Sequence, residues 1–363
     1  MKKQIDLIFI LPDLSYGGSQ KTFVNFINYF SKHYKELKIY LFVINNNNQI
    51  HKVDKNVKIV DFKSKNTRKA IFKIFLKIKK IQPKFVLSTI THLNLASIII
   101  KILLLNNKIK FIIRESNPTF YRDDLSFFIK YLCKILYPLS DKIICLSNEV
   151  KLQLIKNIKN IENKTFTVFN PIDFKEIEVK SNYKTLYNFS KDKLKIIYVG
   201  RLSYQKNINL FIKILHKLNN QDYEAFIIGN GSEKNEAINL IKFYGLSEKI
   251  KVFDFIENPY PYIKQADLFI LPSRWEGFGH VIVESIMCNT PVICLNTFGL
   301  AKEFLLTKNV LLLNESSDNL LATKIDKAIS DNFHNVEINR KAFIDLFDLK
   351  VVSKELYELI TAN

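Results

Sequence analysis

Near-continuous apolar runs of strand length, spaced by amphipathic stretches, constrain this chain more than any other feature. In the first half these are IDLIFIL (Ile5–Leu11), KIYLFVI (Lys38–Ile44), FVLSTI (Phe85–Ile90), KFIIRE (Lys110–Glu115), DKIICLS (Asp141–Ser147) and FTVFN (Phe166–Asn170). A strand that is apolar on both faces must be covered on both faces. Helices between the strands supply that cover, so the pattern predicts a buried parallel sheet in an α/β fold. A polar, strand-poor interval follows at about Asp173–Lys193. The pattern then restarts with LKIIYVG (Leu194–Gly200), YEAFIIG (Tyr223–Gly229), IKVFDFI (Ile250–Ile256), DLFILPS (Asp267–Ser273) and PVICLN (Pro291–Asn296). Two such halves in 363 residues suit two domains better than one. The run Asn45–Asn48 reads as a loop.

Several classes are disfavoured. No stretch of about 18 apolar residues lacks a charge, so a membrane-spanning helix is not expected. The start, MKKQIDLIFILPDLSYGG, resembles a signal peptide, but Asp6 interrupts a brief apolar run and no small-x-small site follows. It reads as a first buried strand. Cys133, Cys145, Cys288 and Cys294 sit in apolar segments without metal-like spacing, which fits free thiols in a reducing cytoplasm. The net charge of +19 is uneven: residues 1–150 hold 26 Lys/Arg against 10 Asp/Glu, and the remainder 28 against 25. Such asymmetry points to an anionic partner for the first half, either nucleic acid or an acidic membrane surface. Compositional drift in a Lys- and Ile-rich proteome is the competing reading.

Ligands of parallel sheets bind beyond the carboxyl ends of the strands, and the glycine-bearing motifs fall there. SYGGSQKTFVNFI follows the first strand. Gly17 and Gly18 permit close backbone approach ahead of a helix whose start favours an anion, although a plain tight turn fits equally. VGRLSYQKN places Arg201 and Lys206 at another strand end, where a planar fork and a point charge could clamp a diphosphate. SRWEGFGHVIVESIMCNTPVI sets Glu276 and Glu284 with seven residues between them, and Gly277-Phe278-Gly279 directly after the first carboxylate. Only 9 glycines occur in the chain, so two in this loop imply a close approach. No Asp-x-Asp motif stands at a strand end, and Asp123-Asp124 lie in a loop, so no metal site is expected.

Together these motifs resemble the retaining glycosyltransferases of family 4, which have the GT-B fold: two Rossmann-like domains with a donor/acceptor cleft between them. VGRLSYQKN, NPYPYIKQADLFILPS and the Glu-x7-Glu segment carry the resemblance, and NPID (Asn170–Asp173) fits the segment before the linker. It implies an N-terminal acceptor-binding domain over residues 1–172, a linker at 173–193, a nucleotide-sugar domain at 194–345, and a helix at 346–363 returning to the first domain. It further implies that the Gly277-Phe278-Gly279 loop presents backbone N–H groups to the donor. Glu276 would bond a hydroxyl of the transferred sugar, and Glu284 the ribose. Arg201 and Lys206, with the Gly17–Gly18 turn, would face the phosphates. Neither a divalent metal nor another cofactor is implied. Where many members carry a His after the strand KFIIRE, this chain has Glu115 before Ser116 and Asn117. Glu115 or His92 could then deprotonate the acceptor. Asn289 replaces a Gly, and in FGLAKE only Gly299 and Glu303 match.

The resemblance implies a hexosyl- or N-acetylhexosaminyltransferase using a nucleotide sugar, UDP-linked, in bacterial surface-glycan assembly. Its acceptor would be a lipid-linked glycan or polysaccharide. The basic segment Arg68–Phe85 would lie on an anionic membrane, at the inner face of the cytoplasmic membrane. A core-packed helix with a solvated Lys face is the alternative for that segment. Two other functions remain open: a nucleotide-sugar epimerase of the same fold, and a non-catalytic nucleic-acid- or membrane-binding protein. No nucleic-acid motif is present to favour the latter.

Overall fold

The computed structural model describes residues 5–15, 17–47, 49–106, 108–297, 300, 302–314 and 317–362; Asn48 of the asparagine run and Gly299 lie outside them. The chain divides into two compact units, Met1–Ile172 with Leu346–Asn363, and Asp173–Asp345.

The first unit runs β1 (Ile5–Leu11), α1 (Gly18–His33), β2 (Leu37–Val43), β3 (Lys58–Asp61), α2 (Thr67–Ile81), β4 (Phe85–Thr89), α3 (Thr91–Leu104), β5 (Lys110–Glu115), α4 (Phe127–Leu136), β6 (Lys142–Cys145), α5 (Asn148–Asn157) and β7 (Thr165–Thr167). Its seven strands pair in the order β3-β2-β1-β4-β5-β6-β7, all parallel. The double-sided burial that the sequence demanded is visible in β1. Leu7, Phe9 and Leu11 pack with Phe23, Phe26 and Phe30 of α1. Ile8 and Ile10 point the other way, into a core built with Ile74 and Ile78 of α2 and Ile100 of α3.

The second unit runs α6 (Phe174–Ser181), β8 (Leu194–Val199), α7 (Ile208–Lys217), β9 (Tyr223–Ile228), α8 (Lys234–Phe243), β10 (Ile250–Phe253), α9 (Tyr260–Gln265), β11 (Leu268–Leu271), α10 (His280–Met287), β12 (Val292–Leu295), β13 (Val310–Leu313) and α11 (Asp318–Ser330). Helix α12 (Lys341–Phe347) carries the chain from the second unit back into the first, where α13 (Leu349–Thr361) follows. The sheet order is β10-β9-β8-β11-β12-β13, again parallel.

The interval 173–193, expected to be a linker, begins with a helix. Asp173 caps α6 by accepting from the Glu176 N–H at 3.0 Å, and α6 packs on α9 and α10 of the second unit. The segment around Arg68–Phe85 forms α2, a core-packed helix that buries Ala70, Ile74 and Ile78 and caps itself through Asn66. Helix α13 lays Val352, Leu356 and Ile360 into the core shared with α1. All four cysteines are free and buried. Among the described residues no helix is long and apolar enough to cross a membrane.

Candidate functional site

Both strand orders reverse direction once, at β1/β4 in the first unit and at β8/β11 in the second. Loops leaving the carboxyl ends of strands on either side of such a reversal diverge, and the crevice between them is where ligands of parallel sheets bind.

In the second unit the two loops at that point are fastened to each other. The Arg274 N–H donates to the Gln205 carbonyl at 2.8 Å, Gln205 Nε2 to the Trp275 carbonyl at 3.1 Å, and Asn207 Nδ2 to the Pro272 carbonyl at 3.2 Å. The Arg274 guanidinium stacks 4.3 Å over the Tyr204 ring and also donates to Asn207 Oδ1. Held this way, Lys206 Nζ meets Glu276 Oε1 at 2.7 Å. The Glu276 side chain is 6% exposed and that of Lys206 19%. A carboxylate so far from water needs its cation, and an ammonium with three donors can serve both Glu276 and a second anion.

Gly277 and Phe278 are buried, and Gly279 enters α10 in the left-handed region at φ 86°. A Cβ there would stand 3.0 Å from Ile282 Cδ1. Glu284 is half-buried one turn into α10 and accepts from the Tyr260 hydroxyl at 3.2 Å. Tyr260 stands in α9, within NPYPYIK; its position in that motif is the one sequence signal for its part in the site. Arg201 is exposed on the loop after β8, and no ion pair among the described residues holds its guanidinium.

The glycines on the neighbouring loops have a packing cause. A Cβ on Gly229, at φ 154°, would fall 1.9 Å from the Gly200 carbonyl oxygen, and one on Gly231 would fall 2.1 Å from that of Leu202. The ends of β8 and β9 touch backbone to backbone.

In the first unit Gly17 is the N-cap of α1 at φ 175°, an extended conformation open to any residue, and Gly18 begins the helix. The same reversal carries a cavity of about 500 Å³ whose lining includes Asp13, Asn45, Lys65, Arg68 and His92. Asp13 is fixed by the Ser15 hydroxyl at 2.6 Å and by Gln20 Nε2 at 3.0 Å. Desolvation lowers the His92 pKa, which favours the neutral imidazole. Glu115 is not at this cavity. It is fully buried and accepts from the Tyr137 hydroxyl at 2.6 Å. Burial raises its pKa. Its neighbour Arg114 projects from the other face of β5, where it donates to Asn170 and lies 6.0 Å from the Phe26 ring. Burial pushes its pKa down to about 10, which leaves it charged at neutral pH.

Residues 179–344 match the family model described as glycosyl transferases group 1. The chain is 34% identical over 175 residues to N-acetylgalactosamine-N,N'-diacetylbacillosaminyl-diphospho-undecaprenol 4-alpha-N-acetylgalactosaminyltransferase of Campylobacter jejuni, covering 48% of this chain and 46% of that protein. It is 35% identical over 131 residues to the O-antigen biosynthesis glycosyltransferase WclY of Escherichia coli, covering 36% of each. The chain thus spans between 36% and 62% of the length of curated relatives it matches. Among solved structures, Anabaena HepE in complex with UDP superposes with a TM-score of 0.75 over 99% of this chain and 100% of the other, at 14% identity. The fold is therefore GT-B, with two Rossmann-like domains.

Proposed function

We propose that this chain is a retaining glycosyltransferase of family 4 that moves a sugar from a nucleotide diphosphate, UDP, to a lipid-linked or polysaccharide acceptor in bacterial surface-glycan assembly. The observation that carries the reading is the Lys206–Glu276 pair, held at the β8/β11 reversal by two interlocked loops directly ahead of α10. The match to glycosyl transferases group 1 supports the reaction class. The UDP in the HepE complex supports the nucleotide, and the diphospho-undecaprenol named for the Campylobacter relative supports a lipid-borne acceptor.

Transfer breaks the bond between the sugar's anomeric carbon and the diphosphate, and forms one to an acceptor oxygen whose proton departs. Negative charge grows on the leaving diphosphate. Lys206, fixed by Glu276, offers its remaining donors to that charge, with Arg201 and the backbone N–H groups of Gly277–Gly279 at the start of α10. Glu276 also accepts from a sugar hydroxyl. Glu284, oriented by Tyr260, accepts from the ribose hydroxyls. Glu115, sealed against Tyr137, is not carried forward as the acceptor's base. His92, in the wall of the 500 Å³ cavity and with its pKa lowered by desolvation, takes that role, and the cavity holds the acceptor. No divalent metal takes part in this scheme, so turnover persists in excess chelator. The chain works on the inner face of the cytoplasmic membrane.

The test measures nucleotide release from UDP-, GDP- and ADP-sugars, with and without a polyprenyl diphosphate-linked glycan, and the anomeric configuration of the product by NMR. Acceptor-dependent release with a retained anomer supports the reading. Epimerisation of the nucleotide sugar without an acceptor, an inverted product, or turnover that vanishes with EDTA and returns with Mg²⁺ overturns it in the corresponding part.

A further inference from the structure

Helix α4 is built unlike the others. Its sequence FFIKYLCKIL has eight apolar residues and two lysines, yet only Cys133 is buried. Phe127 is 83% exposed and Phe128 65%, with Tyr131 and Ile135 also exposed on the following turns. On the same unit α3 packs beside α4 and exposes Ile102 and Leu103, and α2 packs on α3 and exposes Phe72 and Leu76. Large apolar side chains gathered in this number on the exposed faces of neighbouring helices mark a docking face.

Charge identifies the occupant. Helices α2, α3 and α4 carry six, one and two Lys/Arg and no Asp or Glu. Lys101 is paired with Asp141, and Lys73 donates to the Phe62 carbonyl; the other cations remain directed at solvent or at local backbone and rings. A second copy of this chain meeting the face symmetrically would set like charges together. Aromatic and aliphatic side chains rimmed by lysines suit the boundary between head groups and acyl chains of an anionic bilayer, where rings insert and long cations reach back to phosphate.

The geometry points to α4 as the element that inserts into an anionic lipid surface, with α2 supplying charge. Both helices start at the carboxyl-end side of the sheet, after β5 and β3, and Arg68 in the first turn of α2 also lines the 500 Å³ cavity. A lipid-borne acceptor would then reach the cavity without leaving the bilayer. This inference rests on the proposal of a membrane-borne acceptor. Its test uses neither donor nor acceptor, so docking and transfer succeed or fail separately.

Because the four native thiols are buried, a surface cysteine takes a label selectively. Phe128→Cys and, in the second unit, the control Phe243→Cys are labelled with a polarity-sensitive fluorophore. They are mixed with phosphatidylglycerol-containing or pure phosphatidylcholine vesicles. The label at 128 brightens and shifts to the blue with the anionic vesicles alone, and the label at 243 does not change. In co-sedimentation, Phe127→Ser/Phe128→Ser weakens partitioning about 10- to 100-fold and removes the fraction that resists 1 M salt. Lys77→Gln/Lys80→Gln weakens only the salt-sensitive part. Wild-type binding with a silent label at 128, or with no loss in the double serine variant, overturns the assignment of α4 and leaves membrane docking standing. No binding of the unmodified chain to either vesicle overturns both.

Discussion

Lys206 and Glu276 stand 70 positions apart in the chain and 2.7 Å apart in space. Removing the ammonium strands a carboxylate that is 6% exposed. Lys206→Ala should therefore lose about 2–3 kcal/mol of stability, below the range for a fully buried pair because Lys206 keeps some water. It should also lose roughly 30- to 1000-fold in transfer rate through the missing contact to the leaving diphosphate. Lys206→Ala/Glu276→Gln separates the two effects: denaturant melts should return toward wild type while turnover stays low. Recovery of both would make the pair purely structural. Glu115 gives a second residue-scale outcome. Its folded pKa is raised by burial, so the folded state keeps a proton that the unfolded chain has already released. Stability then falls as pH climbs from the ordinary carboxylate range to the raised value, and is unaffected below it. Glu115→Gln keeps an acceptor for Tyr137 and should flatten that slope, its Tm matching wild type at the acid end and exceeding it above. Equal slopes for the two proteins would refute this. Motif spacing made Lys206 and Glu276 legible as candidates. It could not reveal that they bond to each other, nor that Glu115 faces Tyr137, because the side on which a strand residue emerges is decided by what packs there.

At the scale of elements, the strand runs were legible because burial on both faces leaves no polar alternation to misread: β1, β4, β8 and β11 lie where the apolar runs are. Helix α6 was not, since eight residues of FKEIEVKS carry a weak apolar period and its support comes from α9 and α10. The fastening between the β8 and β11 loops was also hidden. It uses Tyr204, Gln205, Asn207 and Arg274, polar residues that would read as ordinary loop surface. Glycine positions report this layer directly. Gly229→Ala would drive a methyl into the Gly200 carbonyl, a backbone group that cannot rotate away, so the ends of β8 and β9 must separate. Gly279→Ala meets only side-chain carbons, of Ile282, Leu300 and Phe304, and a left-handed φ, for a cost of about 1–2 kcal/mol. Thermal melts should therefore rank Gly229→Ala below Gly279→Ala, and donor binding by calorimetry should weaken more in the former. The reverse order would mean that the α10 entry, and not the β8/β9 contact, sets the geometry of the site.

At the scale of the whole chain, the first unit is discontinuous. Residues Leu346–Asn363 return to it after the second unit has been completed by Asp173–Asp345. The closure is substantial. Val352, Leu356 and Ile360 complete the α1 side of the core, Tyr357 stacks on Tyr34 at 3.7 Å and donates to Glu36, and Lys142 Nζ binds the carbonyls of Leu359 and Ala362. A continuous unit can fold from its own local crossovers. A discontinuous one must also close a loop of more than 170 residues, and the second unit shortens that loop once it has folded. The second unit should therefore protect its amides first. In pulse-labelled hydrogen exchange during refolding, β8, β9 and β11 should become protected before β1 and β2. Leu356→Ala should widen that interval and cost about 2–5 kcal/mol in the transition that unfolds the first unit, with the second unit's transition unmoved. Simultaneous protection of both sheets, or an equal shift of both transitions in Leu356→Ala, would show that the two units fold as one cooperative body and that α13 is a clasp on the whole chain.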